Sequence, residues 1–323
     1  MIKKTRYDGT LIEGLHHYTR ITPYVLTDRI GSTIYFEQEF DVTHSLEYLE
    51  MINKDRTDPA FKVKFFEVFL TAMARTIALR PDLNRFISGF NYYQRKRILL
   101  NFVAKKEMTD EGEEIQLTVP FSPYETLASV QGKMKKTIRE GKEGKSTEGD
   151  KANIILMKMP RFVIRGFFKL FEFLDFHNMA PAELLKSDPM YCTAFITNVG
   201  SIGVDAPFHH NFEHGTCGIF IALGKVKKSR TLDENGTLQE RDVVKVTFTY
   251  DDRIKDGIYC ARAIDLFKNM VENPEQLEGL PELTEKNMDR LNLIDFPSST
   301  MKEQMGRVPT GSMRQDLEVS FDC

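Results

Sequence analysis

The periodicity of the sequence changes at residues 250–257, which read Tyr250-Asp251-Asp252-Arg253-Ile254-Lys255-Asp256-Gly257. Before this stretch, apolar residues fill every second position, which predicts a strand with one buried face; the row is Val244, Val246, Phe248 and Tyr250. After it, small and apolar residues recur at helical spacing: Gly257, Ala261, Ile264, Phe267 and Val271. Asp256 occupies the position of a helix N-cap. The sequence therefore predicts a strand, a polar turn and a helix, with Asp252 on the side of the apolar row.

This turn resembles a motif of the chloramphenicol acetyltransferase-like superfamily, which includes the catalytic domain of the 2-oxo acid dehydrogenase dihydrolipoyl acyltransferases. In that branch the motif reads Asp-His-Arg-x-x-Asp-Gly. Four of its positions are present here, as Asp251, Arg253, Asp256 and Gly257, and Asp252 stands in place of the histidine. The resemblance implies an α/β, two-layer fold with a large mixed β-sheet and packed helices.

Two further landmarks resemble the same family. Residues 195–203 look like its strand and Gly-rich turn, where a hydroxyl residue stabilises the tetrahedral intermediate, and Thr197 holds that position. Residues 80–84 match its helix-ending Pro-acid-Leu-Asn stretch, and the proline stops the helix. The resemblance therefore implies catalytic roles for Asp252, Asp256 and Thr197. On the residues alone, Asp256 is a helix cap and Thr197 an ordinary β-branched strand residue.

The exchange of the family histidine for Asp252 bears directly on activity. The resemblance implies that the histidine is the general base that accepts a proton from coenzyme A, dihydrolipoamide or an acceptor hydroxyl. Proton transfer from a thiol is uphill by about 4.6 pKa units to an unperturbed aspartate but by about 2 to imidazole. The difference, roughly 3.5 kcal/mol, is a few hundredfold in rate. We therefore expect an acyl-CoA-dependent acyltransferase-family protein with an impaired or altered base. The alternative is a non-catalytic binding or assembly protein that retains the fold.

A second polar cluster lies at residues 209–215, His209-His210-Asn211-Phe212-Glu213-His214-Gly215. It contains His-x-x-Glu-His, which binds zinc when both histidines lie on one helical face. Because Pro207 and Gly215 flank the cluster and an apolar strand follows, we predict a polar loop and no metal. An imidazole on such a loop is able to reach the site from the same or a neighbouring subunit. The candidates for the substrate channel are His209, His210, Asn198 and Arg253.

Composition and length limit the remaining choices. The chain has 323 residues, 41% of them hydrophobic, which suffices for one large domain. The net charge of −3 gives no electrostatic case for nucleic acid. The four cysteines are widely separated and form no metal-ligand pair, so a reduced, cytoplasmic protein is the simplest interpretation. We predict one domain over residues 1–282 and a loosely attached polar tail over residues 283–323.

One segment falls outside the family pattern, a helical insert at about residues 152–188. Residues 154–176 contain six phenylalanines, and cations recur among them at helical spacing: Lys158, Arg161, Arg165 and Lys169. A basic amphipathic helix is able to lie on an anionic membrane or to dock on a partner. The alternative is an insert packed on its own core with its cations in water. The segment is too interrupted by charge to span a bilayer. The family resemblance also implies a homotrimer, with the channel between subunits and coenzyme A entering from one side.

Overall fold

The computed structural model describes residues 5–105, 109, 112, 114–142, 156–232 and 235–296. Its strands are β1 (Gly9–Leu11), β2 (Thr33–Asp41), β3 (Arg85–Ser88), β4 (Asn91–Arg95), β5 (Ile98–Lys105), β6 (Glu114–Phe121), β7 (Ala194–Asn198), β8 (Ile219–Leu232) and β9 (Leu238–Asp251). Its helices are α1 (His17–Val25), α2 (Thr43–Asn53), α3 (Phe65–Leu79), α4 (Leu127–Lys142), α5 (Arg161–Phe176), α6 (Ala182–Ser187), α7 (Gly257–Glu272) and α8 (Glu285–Leu291).

The main sheet is mixed. Within the described residues it has six strands in the order β2-β9-β8-β7-β5-β6. Strand β7 runs parallel to both of its neighbours, β5 and β8, and the other pairs are antiparallel. A smaller sheet has the order β1-β4-β3. The predicted α/β fold with a large mixed sheet and packed helices is confirmed.

One face of the main sheet, here called the helix face, carries the hydrophobic core. Apolar side chains of β7, β8 and β9 point to this face, as in Ile196, Ile221 and Phe248. They meet α3 and α7, where the rings of Phe69 and Phe267 lie edge to face with centroids 4.8 Å apart. Burial of these side chains contributes on the order of 1.5–3 kcal/mol each, which holds the two helices to the sheet.

The opposite face, here called the loop face, is covered by residues 206–217. Thr247 Oγ1 donates to the carbonyl oxygen of Pro207 at 2.6 Å, and Thr249 Oγ1 donates to that of His209. Residues 243–251 are consequently buried on both faces except for Lys245, which is half-buried. The prediction of a strand with a single buried face is wrong here, because a threonine is polar in sequence yet buries readily once its hydroxyl is satisfied.

The predicted polar tail begins too early. Helix α8 is capped by Thr284 and packs against the body, with Leu283, Met288, Leu291 and Leu293 buried in the main core. Asn287 Nδ2 also donates to the carbonyl oxygen of Leu79 at 3.0 Å. Residues 283–296 thus belong to the domain, because four apolar side chains spaced among charges suffice to dock a short segment. The rest of the predicted tail lies outside the described residues.

Candidate functional site

The turn after β9 is built on a buried carboxylate. Asp251 is 2% exposed. The guanidinium of Arg253 donates two hydrogen bonds of 2.8 Å to its carboxylate, from Nε to Oδ1 and from Nη2 to Oδ2. A second guanidinium, that of Arg29, lies with Nε 3.7 Å from Oδ2. A bidentate pair of this kind fixes both position and orientation of the turn.

The same two arginines tie the turn to the rest of the chain. Arg253 Nη1 donates to the carbonyl oxygen of Leu26 at 3.1 Å, and Tyr92 Oη donates to the carbonyl oxygen of Arg253 at 3.0 Å. Arg29 Nη2 donates to the carbonyl oxygen of Gly215 at 2.8 Å. The guanidinium of Arg253, a predicted channel residue, is buried and engaged with Asp251 and Leu26, so within one chain it positions the turn.

Asp252 is exposed on this scaffold. Its backbone N–H donates to the carbonyl oxygen of Ser32 at 3.0 Å. Among the described residues its carboxylate has no hydrogen-bond or ion-pair partner. Partial desolvation raises the pKa of Asp252, and the negative charges of Asp251 and Asp256 raise it further. The shift makes the Asp252 carboxylate a stronger base than an ordinary aspartate.

Asp256 caps α7, as the sequence predicts. Its Oδ1 accepts a hydrogen bond of 3.0 Å from the backbone N–H of Tyr259, and this bond lowers the pKa of the carboxyl group. Lys255 Nζ lies 3.4 Å from Oδ2. A side chain held in this way is fixed and charged, so it suits orientation of a neighbour better than proton transfer.

Thr197 lies far from Asp252 within one chain. Thr197 pairs with Ala222 on β8, and Ala222 pairs with Thr247 on β9, so the three side chains share the loop face. Asp252 is five positions beyond Thr247 and has the opposite parity. At about 3.4 Å per residue and about 4.8 Å per strand, the two residues are separated by roughly 20 Å. One chain does not bring Asp252 and Thr197 together.

The Gly-rich turn after Thr197 is a single 3₁₀ turn, Val199–Ile202. The Oδ1 atom of Asn198 accepts a hydrogen bond of 3.2 Å from the backbone N–H of Ser201, so this predicted channel residue caps the turn. Gly200 is required because a Cβ there would lie 2.2 Å from the carbonyl oxygen of Gly224. Thr197 Oγ1 itself has no hydrogen-bond partner in the part of the chain that the structure describes.

His209 and His210 lie on the loop face. The ring of His209 lies flat on that of Phe220, with centroids 3.7 Å apart and planes within 2°. Its Nδ1 is 2.8 Å from the carbonyl oxygen of His210, and because a carbonyl oxygen only accepts, this hydrogen bond places the proton on Nδ1. Burial lowers the pKa of His209 below the ordinary value of imidazole. His210 is exposed and directs its Nδ1 to the carbonyl oxygen of Asn211 at 2.8 Å.

The His-x-x-Glu-His stretch is a loop, as predicted, and its side chains diverge. Glu213 accepts hydrogen bonds from the backbone N–H groups of Arg29 and Ile30. His214 Nε2 lies 2.5 Å from Asp188 Oδ2, and this hydrogen bond raises the pKa of His214. Over the described ranges, no three His, Cys, Asp or Glu side chains are placed to hold a metal ion.

Arg29 is the residue that sequence reasoning missed. It is 5% exposed and connects Asp251 to the loop-face segment through the carbonyl oxygens of Phe212 and Gly215. The first 30 residues show no clear periodicity, so nothing local marks Arg29. The only indirect signal in the sequence is Asp251. An acid at the end of a buried strand requires a cation beside it, which Arg29 helps to supply.

With this geometry in place, comparison with known proteins gives a consistent result. A model of the family described as 2-oxoacid dehydrogenases acyltransferase (catalytic domain) matches residues 177–278. The lipoamide acyltransferase component of the branched-chain alpha-keto acid dehydrogenase complex of Bacillus subtilis is 21% identical over 247 residues. The match covers 74% of this chain and 46% of that protein, so the chain spans about half the length of this curated relative.

Solved structures show the same fold. A probable dihydrolipoamide acetyltransferase of Listeria monocytogenes superposes with a TM-score of 0.54 at 12% identity, covering 81% of this chain and 94% of that one. The dihydrolipoamide acetyltransferase of Azotobacter vinelandii gives 0.54 at 15% identity, covering 82% and 93%. The cubic core of a pyruvate dehydrogenase multienzyme complex gives 0.51 at 16%, covering 82% and 93%. The predicted resemblance is confirmed: the chain has the fold of these acyltransferases and is similar in sequence to their catalytic domain.

Proposed function

We propose that this protein is a coenzyme A-dependent acyltransferase-fold protein in which base catalysis by the family route is impaired. One observation carries the proposal: the turn is fully built around residue 252, and the exposed residue there is an acid. Asp251, Arg253 and Asp256 hold the scaffold in place. A serine, a histidine and an asparagine were studied for catalytic roles in the Azotobacter protein, the last two four positions apart. Asp252 and Asp256 have the same spacing.

The chemistry open to these side chains follows from their placement. The Asp252 carboxylate accepts the proton of an incoming thiol, at the cost set by its low pKa relative to imidazole. The thiolate attacks the carbonyl carbon of the acyl-CoA thioester, and the coenzyme A thiolate then leaves. Thr197 Oγ1, which has no partner among the described residues, donates a hydrogen bond to the oxygen of the tetrahedral intermediate. The rates of the wild-type and Asp252→His proteins with acetyl-CoA test this scheme.

Assembly is part of the proposal. Because Asp252 and Thr197 lie roughly 20 Å apart in one chain, a site that uses both is complete only across a subunit boundary. We therefore expect a homotrimer or a multiple of trimers, in keeping with a relative that forms a cubic core. Light scattering at micromolar concentration measures this directly. A monomer would remove the shared site, and with it the pairing of Asp252 with Thr197.

A non-catalytic binding or assembly protein is the second candidate, and the exchange of the family histidine for Asp252 favours it. Such a protein would keep the trimer and lack transfer in every variant. The two candidates differ in one measurable respect. If the protein is an impaired acyltransferase, Asp252→His restores acyl transfer, and if it is a non-catalytic protein, the variant does not.

His209 provides an independent test. Its stacking on Phe220 gives it a structural reason to be present, so we expect His209→Gln to leave wild-type transfer within about twofold. Loss of the ring contact should lower the free energy of unfolding by about 1 kcal/mol. His210→Gln, at an exposed position, should change neither quantity. A loss of activity on the order of a hundredfold in His209→Gln, with folding intact, would show that this imidazole serves as the base.

A further inference from the structure

Two side chains on one strip of helix α5 anchor it to the body. Phe171 is 6% exposed and packs its ring against those of Tyr191 and His214. Asp175 accepts a hydrogen bond of 2.6 Å from Nη2 of Arg6, and Arg6 is buried. These two anchors, four positions apart and therefore on one side of the helix, fix α5 on the surface.

A second strip of the same helix is apolar and exposed. It follows helical spacing through positions 162, 166, 170 and 173. Phe162 is 76% exposed, Leu170 58% and Phe173 54%. Met157 and Met159, just before the helix, are also exposed and extend the apolar surface. A phenylalanine left in water forgoes about 1.5–3 kcal/mol of burial, so a strip of this kind indicates a surface that becomes covered.

A third strip, next to the exposed apolar one, is cationic. Arg161, Arg165 and Lys169 follow one another at intervals of four residues. None of the three has an ion-pair or hydrogen-bond partner among the described residues. Glu172, three positions after Lys169, is an acidic residue on the same side of the helix. The whole chain carries a net charge of −3, so this row is a local excess of positive charge. The complementary partner is therefore anionic.

We propose that α5 is a docking surface for an anionic lipid bilayer. The helix lies in the plane of the headgroups, with Phe162, Leu170 and Phe173 inserted and the Arg161-Arg165-Lys169 row on lipid phosphates. An exposed apolar strip bordered by cations fits a headgroup boundary, which presents both phosphates and acyl chains. In the described part of the chain no helix has the length and apolar character to cross a membrane. This inference does not depend on the proposed acyl transfer.

The absence of tryptophan from the chain permits a site-specific test. Phe162→Trp and Phe173→Trp each place a single fluorophore on the apolar strip. With phosphatidylcholine vesicles that contain phosphatidylserine, both should shift their emission to shorter wavelength. Ile258→Trp is the matched control, because Ile258 is 70% exposed on α7, and its emission should not change.

Co-sedimentation with the same vesicles measures the charge contribution. A cation near an anionic membrane contributes about 1 kcal/mol, roughly fivefold in affinity, so Arg161→Gln/Arg165→Gln/Lys169→Gln should bind on the order of a hundredfold more weakly. Arg262→Gln, which removes an exposed arginine from α7, should bind like the wild type. Thermal unfolding curves should show that all these surface variants are folded and as stable as the wild type.

Three results would overturn the proposal. One is failure of the wild-type protein to bind phosphatidylserine vesicles at low salt. Another is an equal emission shift for Ile258→Trp. The third is dissociation of the oligomer in Phe162→Ser/Phe173→Ser with vesicle binding unchanged, which would make a second copy of the chain the occupant of the strip.

Discussion

Replacement of Asp252 by histidine is expected to raise acyl transfer from acetyl-CoA to a small thiol by up to a few hundredfold. The ceiling is the difference between an aspartate and an imidazole as bases, about 2.6 pKa units or roughly 3.5 kcal/mol. The gain should fall below this ceiling, because desolvation and the charges of Asp251 and Asp256 already raise the pKa of Asp252. The scaffold that would hold the new ring is in place.

The measurement is the initial rate of the wild-type and variant proteins over a range of pH. The rate of the Asp252→His variant should increase as the pH rises through about 6.5, the ordinary pKa of imidazole, because the ring must be neutral to accept a proton. The wild type should lack this increase. Asp252→Asn is the matched control, since it removes the carboxylate and supplies no base, and it should not gain activity. Rapid wild-type transfer that falls in Asp252→His would contradict impairment and make Asp252 a working acid or base.

Local sequence was sufficient to predict the elements around the turn. The alternation before Tyr250 and the helical spacing after Gly257 are properties of neighbouring residues, and both elements form close to the predicted positions. The cap by Asp256 likewise involves atoms three residues apart. Interactions of this range depend on the chain only through a few consecutive residues, so a single sequence specifies them.

The arrangement of the site depends on non-local pairing, which a single sequence does not state. Thr197 and Asp252 look like partners in the motif, yet strand order and register place Thr197 two strands away from β9, roughly 20 Å from Asp252. Arg29 reaches Asp251 across more than 200 positions of chain, and no periodicity marks either residue as the other's partner. The same reason explains why the docking of residues 283–296 was missed. Their apolar side chains are few, and only the tertiary fold provides the surface that buries them.

Asp251→Asn is expected to destabilise the protein by about 3–5 kcal/mol. The substitution keeps the size of the side chain and removes the charge that faces the buried guanidinium groups of Arg253 and Arg29. Loss of one partner from a buried ion pair is costly because the remaining charge stays desolvated. The free energy of unfolding in denaturant, compared with that of the wild type, measures the effect.

The two neighbouring acids provide matched controls for Asp251→Asn. Asp252→Asn changes an exposed carboxylate without a partner in the described structure, so its effect should stay within about 0.5 kcal/mol. Asp256→Ala removes a helix cap and should cost about 1 kcal/mol. If all three variants lost similar stability, the Asp251–Arg253 pair would not be what holds the turn. The predicted ranking, with Asp251 far ahead, would show that the motif is retained here for the structure of the turn, independently of whether residue 252 performs chemistry.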